Sequence, residues 1–188
     1  MQALKPEKEE PTTKAIHENL GIRFAAVSDE TYSVDDDALD LYLQAKARGL
    51  GEDEEELQDC WYSKEKAQDG LKRPRFYNKV KLGYEWTKYN QAHYDMENLP
   101  PKSIQGYKFN IFFPKLPRNS STPQYHLENC GESDKMVVRF HAGPPYEDVY
   151  FKILNKEWEI SEKLGFKSVF EQGVLHLYFN FKKHKYRR

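Results

Sequence analysis

The sequence predicts an α+β protein: an antiparallel sheet with flanking short helices, preceded by an acidic N-terminal segment that is first disordered and then helical. Three observations carry this. Tyr107, Phe109, Ile111 and Phe113 alternate with Lys108, Asn110 and Phe112, the period of a half-buried strand. Several similar short runs follow, separated by proline and glycine corners, which suits antiparallel connections. Two helix-like acidic stretches precede them. The chain therefore divides into residues 1–32, disordered; 33–70, an acidic helical segment; and 71–188, the dense folded domain.

Taken in order, residues 1–28 are polar, carry Pro6 and Pro11, and have few large apolar groups to bury. From Ser33 the pattern changes. "SVDDDALDLYLQAKARG" offers Ser33 as a cap, acids in the first turn, basic residues near the end and Gly49 at the C′ position. Leu39, Tyr42 and Leu43 would form its narrow apolar stripe. "EDEEELQDCWYSKEKAQ" (52–68) reads as a weaker helix with a solvated acidic face. "KRPRFYNKVKLGYEWTKYNQAHYD" then interleaves cations with Phe76, Tyr77, Tyr84, Trp86, Tyr89 and Tyr94, until Pro100-Pro101 end it. Short strands are expected at Tyr125–Asn129, Lys135–His141 and Val149–Leu154. "NKEWEISEKLG" (155–165) reads as a helix capped by Asn155 and closed by Gly165. "FKSVFEQGVLHLYFNFKK" is a hairpin turning at Gln172-Gly173. Trp86, Tyr89, Trp158 and the Phe-rich strands should supply most of the burial, at about 25 cal/mol per Å² of apolar area.

The net charge of −1 conceals an asymmetry. Residues 1–70 hold 8 basic against 18 acidic side chains, and residues 71–188 hold 21 against 12. A basic half suggests an anionic partner, and the acidic half could instead fold back to mask it. Cys60 and Cys130 stand far apart in no ligand or disulfide spacing, which fits a reducing compartment. The N-terminus lacks an apolar signal-like stretch, and no later run approaches the ~18 apolar residues of a membrane span. The expectation is an intracellular, soluble protein, with the Asn119-Ser120-Ser121 sequon fortuitous.

The stretch "RFHAGPPYEDVYFKI" (139–153) brings His141, Glu147 and Asp148 to one corner. A histidine oriented by a carboxylate can act as a general base. Yet no G-x-S-x-G is present and neither cysteine has a recognised nucleophile setting. Pro144 and Pro145 fix φ and remove two donors, so a stiff turn is the preferred reading. The six histidines show no i, i+4 pair, and His176 suits a hydrogen-bonded sheet histidine better than a metal ligand. Neither G-x-G-x-x-G nor G-K-[ST] occurs. The basic-aromatic "KRPRFYNKVK" and terminal "KKHKYRR" suit RNA contact, nuclear import, or simply cations kept wet over a buried aromatic core.

"KRPRFYNKVKLGYEWTKYNQAHYD", "PPKSIQGYKFNIFFP", "RFHAGPPYEDVYFKILNKEWE" and "LHLYFNFKKHKYRR" resemble, in that order, the C-terminal domain of the Cactin family, nuclear proteins named for binding the IκB-type inhibitor Cactus. The likeness runs from about Lys72 to Arg188. It implies a non-enzymatic role: association with pre-mRNA splicing as a spliceosome component, and regulation of Rel/NF-κB signalling through IκB-type partners. It carries no catalytic residue onto His141, Glu147 or Asp148. Family members are much longer, with an Arg-rich N-terminal region and a helical middle domain. Here about 70 acidic residues precede the domain, so a short paralogue, a fragment or an incompletely read gene is expected.

The resulting expectation is a protein-interaction module without catalytic residue, metal or cofactor. Its partner-binding set is His141, Pro144, Pro145, Tyr146, Glu147 and Asp148, with Trp86 and Tyr89. Its basic surface, for RNA or nuclear import, is Arg73, Arg75, Lys79, Lys182, Lys183, Lys185, Arg187 and Arg188. Expected partners are spliceosomal proteins, an IκB/Cactus-type protein and, as the alternative reading, RNA. Neither a membrane nor a small-molecule substrate is expected. The expected location is the nucleus, with room for a cytoplasmic pool.

Overall fold

Alternating apolar side chains along the dense part of the chain form two antiparallel sheets that face each other across one aromatic core. The computed structural model describes residues 22–24, 36–57, 61–63, 71–117 and 119–183. The first sheet runs in the order β1 (Ile22–Phe24), β3 (Trp61–Ser63), β8 (Val149–Leu154), β7 (Lys135–His141) and β6 (Gln124–Asn129). The second runs β10 (Lys167–Glu171), β11 (Val174–Phe181), β5 (Ser103–Phe112), β4 (Asn78–Gly83) and β2 (Glu54–Leu57), with β9 (Trp158–Glu159) also pairing β11.

The inward residues of β5 and β11 (Phe109, Ile111, Leu177 and Phe179 among them) meet Val138, Phe140, Phe151 and Ile153 of β7 and β8. Phe109 sits at the junction, its ring 5.3 Å from both Phe140 and Phe151 of the opposite sheet. Such tilted ring pairs add to area burial. Gly106 lies where β5 passes closest to β11. A Cβ there would stand 2.3 Å from the Phe179 carbonyl oxygen, so no side chain fits without moving the backbone.

The architecture is thus a mostly-β sandwich, where the sequence predicted α+β with one sheet and flanking helices. Period-two alternation marks the buried face of a strand but not the number of sheets sharing that core. Among the described residues the helices are α1 (Leu39–Ala47), which follows a 3-10 turn at Asp36–Ala38, and α2 (Lys88–His93), with another 3-10 turn at Glu162–Leu164.

Four local expectations change. The expected cap Ser33 lies outside the described residues, and α1 packs on the outer face of the second sheet through Ala38, Leu41, Tyr42 and Ala45. This i, i+3, i+4, i+7 stripe replaces Leu39 and Leu43, which are exposed. Gly49 does close the helix in the left-handed region, at φ 74°. Within 52–68, strands β2 and β3 replace the predicted helix. Glu54 and Glu56 align with Lys81 and Lys79 of β4, and this cross-strand charge match outweighs the local helical preference. Within 155–165, β9 and the 3-10 turn replace the other predicted helix, because Trp158 stacks on Phe179 at 3.6 Å and 11° and pins the segment to β11. Asn155 accordingly bonds the 133–134 loop, although Gly165 still terminates the turn at φ 102°. Finally, β1 lies inside residues 1–32; the rest of that segment is outside the described residues.

Candidate functional site

The proline corner does not assemble His141, Glu147 and Asp148 into one site. Gly143 takes φ 83°, and the Pro144–Pro145 peptide is cis. Lys72 N donates to Pro145 O at 2.8 Å and Glu147 N to Lys72 O at 2.9 Å, so the corner is laced to the start of the dense domain. Glu147 turns inward and accepts from Arg73 Nε at 3.2 Å. His141 instead meets Asp148 across the surface, Nδ1 to Oδ1 at 2.6 Å, with the His141 side chain 55 % exposed. Tyr146 is buried against Phe113 at 5.2 Å, its hydroxyl oxygen accepting from Lys115 N at 2.9 Å. Tyr146 and Glu147 are therefore structural parts of the corner, while His141 and Pro144 remain at the surface.

Among the described residues, the members of the expected basic surface lie in different settings. Arg73 is only 5 % exposed and Arg75 reaches over the Tyr42 ring at 5.9 Å. Lys182 pairs with Glu157 at 2.7 Å, Lys183 is exposed, and Lys185, Arg187 and Arg188 lie outside the described residues. Lys79 belongs to a different cationic surface, on the outer face of the second sheet. There Glu54 binds Lys108 at 2.7 Å and Lys79 at 3.6 Å. Burial would raise the Glu54 carboxyl, but bonds from Lys108 and the Gly51 amide, with the charges of Lys108 and Lys79, hold it at about 2. Lys108 and Lys167 flank the Tyr178 ring at 5.8 and 5.7 Å, and Lys167 also pairs with Glu171 at 3.6 Å.

Between this face and α1 lies a cavity of about 230 Å³, which Gln44, Arg48, Lys79, Gln172, His176 and Tyr178 help to line. Its floor is Asn110, whose Oδ1 accepts from His176 Nδ1 and from the Tyr178 hydroxyl, both at 2.6 Å. His176 is thus the hydrogen-bonded sheet histidine the sequence suggested. Lys108, Asn110, Lys167 and Tyr178 escaped that reading. Their signal was the polar half of each alternating strand, set beside the next only by the register Lys108↔Tyr178↔Lys167.

A third feature lies between β4 and β5. Tyr84, Trp86, Tyr89, Met96 and Leu99 are five of the eleven exposed large hydrophobic residues among those described, with Tyr89 at 65 % and Met96 at 81 %. Trp86, at 40 % exposure, and Tyr89 are thus outside the buried core, contrary to expectation. The excursion is braced from within. Thr87 Oγ1 accepts from Asn90 N at 3.2 Å and caps α2, and Gln91 Nε2 donates to Trp86 O at 3.1 Å. Asp95 Oδ1 accepts from the amides of Glu97 and Asn98 at 2.9 and 2.7 Å. A held loop presenting aromatic and Met side chains loses little freedom on binding. Among the described residues no three His, Cys, Asp or Glu side chains converge as a metal site requires.

Fold and surface together define an antiparallel β-sandwich module with a braced apolar display loop and a cationic sheet face. Residues 64–188 match the family described as the Cactus-binding C-terminus of cactin protein, and the chain belongs to this family. It is 45 % identical over 168 residues to the human protein named Splicing factor Cactin, covering 84 % of this chain and 22 % of that one. It is 59 % identical over 118 residues to the Arabidopsis thaliana Splicing factor Cactin, covering 62 % and 16 %. With the Schizosaccharomyces pombe Splicing factor cactin it shares 44 % over 130 residues, covering 63 % and 25 %. The chain thus spans about a fifth of the length of these relatives.

Proposed function

We propose that this chain is a non-enzymatic protein-interaction module acting in pre-mRNA splicing in the nucleus, docking spliceosomal proteins and an IκB/Cactus-type protein through the 84–99 loop. The observation that carries the reading is the exposure of Trp86, Tyr89 and Met96 on a backbone braced by its own side chains. Trp and Tyr anchors of this kind dominate binding energy at protein interfaces. The splicing part draws on the names of the relatives and the Cactus-type partner on the family description, while the role in NF-κB regulation extends the family resemblance. The folded domain is taken as 71–188, with 33–70 contributing α1, β2 and β3. The test is affinity capture of the tagged 188-residue chain from nuclear extract, with and without RNase, beside Trp86→Ala/Tyr89→Ala. Spliceosomal proteins that survive RNase and are lost in the double variant support the reading. Equal recovery by both forms removes the loop from it.

A second reading, RNA contact, is favoured by one observation: Tyr178 is flanked by Lys108 and Lys167 on an open sheet face. Rings with adjacent cations suit stacked bases and their phosphates. It moves the basic surface from Arg73 and the terminus to Lys79, Lys108 and Lys167. If it holds, affinity falls with salt at a log–log slope of about −0.7 per phosphate neutralised.

A further inference from the structure

The cavity beneath α1 has a polarity that its size makes specific. At about 230 Å³ it falls below the roughly 300–1,000 Å³ typical of sites that enclose whole small molecules. Asn110 Nδ2 donates to Tyr77 O at 3.0 Å, which fixes the amide orientation and leaves Oδ1 facing His176 and Tyr178. Since that oxygen only accepts, His176 carries its proton on Nδ1. Burial, followed by the charges of Lys167 and Arg48, holds the ring below its ordinary value of 6.5 against the pull of Glu171. His176 is therefore neutral near pH 7, with Nε2 as a lone-pair acceptor, 3.9 Å from the Glu171 carboxylate. The exposed side chains of Gln44 and Arg48 reach the same space from α1.

We infer that this cavity takes a single base of single-stranded RNA, with His176, Gln44 and Gln172 reading its polar edge while Arg48, Lys79 and Lys167 flank the path of its phosphates. A base fits on two counts. It is planar and brings N–H donors to an acceptor set, which a bare anion does not, and its attached phosphates meet the cations at the mouth. An acidic peptide matches the same cations and its backbone N–H groups can also donate to His176 Nε2, so it is the competing occupant that the experiment separates. The inference rests on the RNA-contacting reading and adds to it a seat for one base.

The experiment measures fluorescence anisotropy of labelled decauridylate and of an abasic ribose-phosphate decamer with the full chain across a salt series. It uses wild type, Gln44→Trp and His176→Phe. Gln44 is exposed on α1, so tryptophan there plugs the mouth without disturbing the core. In His176→Phe, Asn110 Oδ1 keeps its bond from Tyr178, which spares the floor. In wild type the abasic strand, which has no base to seat, should bind about tenfold more weakly, on the order of the loss of one base contact. That gap should close in both variants with the salt slope unchanged. If RNA binds with normal salt dependence but neither the abasic change nor the variants matter, the cavity seat is wrong and the RNA reading stands. Absence of RNA binding at low salt overturns both. Binding of a labelled poly-glutamate peptide that Gln44→Trp abolishes, with no base-dependent gap, assigns the cavity to protein and overturns the inference.

Discussion

Arg73 Nε donates to Glu147 Oε2 at 3.2 Å, joining two residues 74 positions apart at the point where the proline corner meets the start of the dense domain. Both side chains are largely buried, at 6 % and 13 % exposure. A sequence scan sees a cation beside aromatics and an acid near a histidine. In the folded chain they are one clamp.

Breaking that clamp on one side should be costly. Glu147→Ala removes one partner of the largely buried Arg73 guanidinium and should lower stability by about 2 kcal/mol. Replacing both residues with apolar groups should recover a good part of the loss. Urea denaturation of the single and double variants checks this; a single variant within about 0.5 kcal/mol of wild type would falsify the clamp.

Gly106 should tolerate no side chain. Its Cβ would meet the Phe179 oxygen at 2.3 Å and Asn180 Oδ1 at 2.8 Å. Gly106→Ala should therefore push β5 away from β11 and cost about 3 kcal/mol, through overpacking and lost strand pairing. A thermal melt reads this directly, and an unchanged Tm sinks the packing argument.

Glu54 supplies a pH dependence. Its carboxyl sits at about 2 in the folded chain against an ordinary 4.5. A depressed carboxyl stabilises fully above its unfolded value, and this is lost as pH falls through the folded value. Glu54→Gln should thus cost on the order of 2 kcal/mol at neutral pH, with screening allowed for, and progressively less from about pH 4.5 down to 2. Denaturation midpoints of both proteins across that window should converge. Parallel curves would show that the ion pairs to Lys79 and Lys108 contribute nothing.

His141 should be dispensable for folding. Its bond to Asp148 is exposed, and such pairs are worth about 0–1 kcal/mol. His141→Ala should melt within a few degrees of wild type, whereas a collapse of the fold would assign the pair a structural role.

Trp86 and Tyr89 should separate binding from stability. Trp86 is 40 % and Tyr89 65 % exposed, so Trp86→Ala/Tyr89→Ala should lower stability by no more than about 1.5 kcal/mol. Partner capture should nonetheless fall at least about tenfold, as loss of interface anchors does. If the double variant unfolds instead, the two rings pack more than their exposure implies.

Much of the β architecture was legible because strand signals are local. The alternation of Tyr107, Phe109 and Ile111, the runs at 135–141 and 149–154, and the turn at Gln172-Gly173 all appear in β5, β7, β8 and the β10–β11 hairpin. The likeness to the Cactin family was legible too, and the match over 64–188 bears it out. The two lost helices were not, because residues 52–68 and 155–165 have helical composition but meet Lys79, Lys81 and Phe179 only in the fold. The burial of individual candidate side chains was the least legible. Arg73 and Tyr146 look like surface anchors in the sequence and are buried, while Tyr178 looks like one strand residue among several and holds the centre of the cationic face.

By itself, then, the sequence determined which strand residues turn inward, where the hairpin turns, and to which family the chain belongs. Only the tertiary structure decided that two sheets share the core, that Glu147 serves Arg73 while Asp148 serves His141, and that Arg48, Lys79 and His176 line one cavity. The physical reason is range. Side-chain alternation is written every second residue, whereas sheet register and charge partnership are set by contacts between residues tens of positions apart.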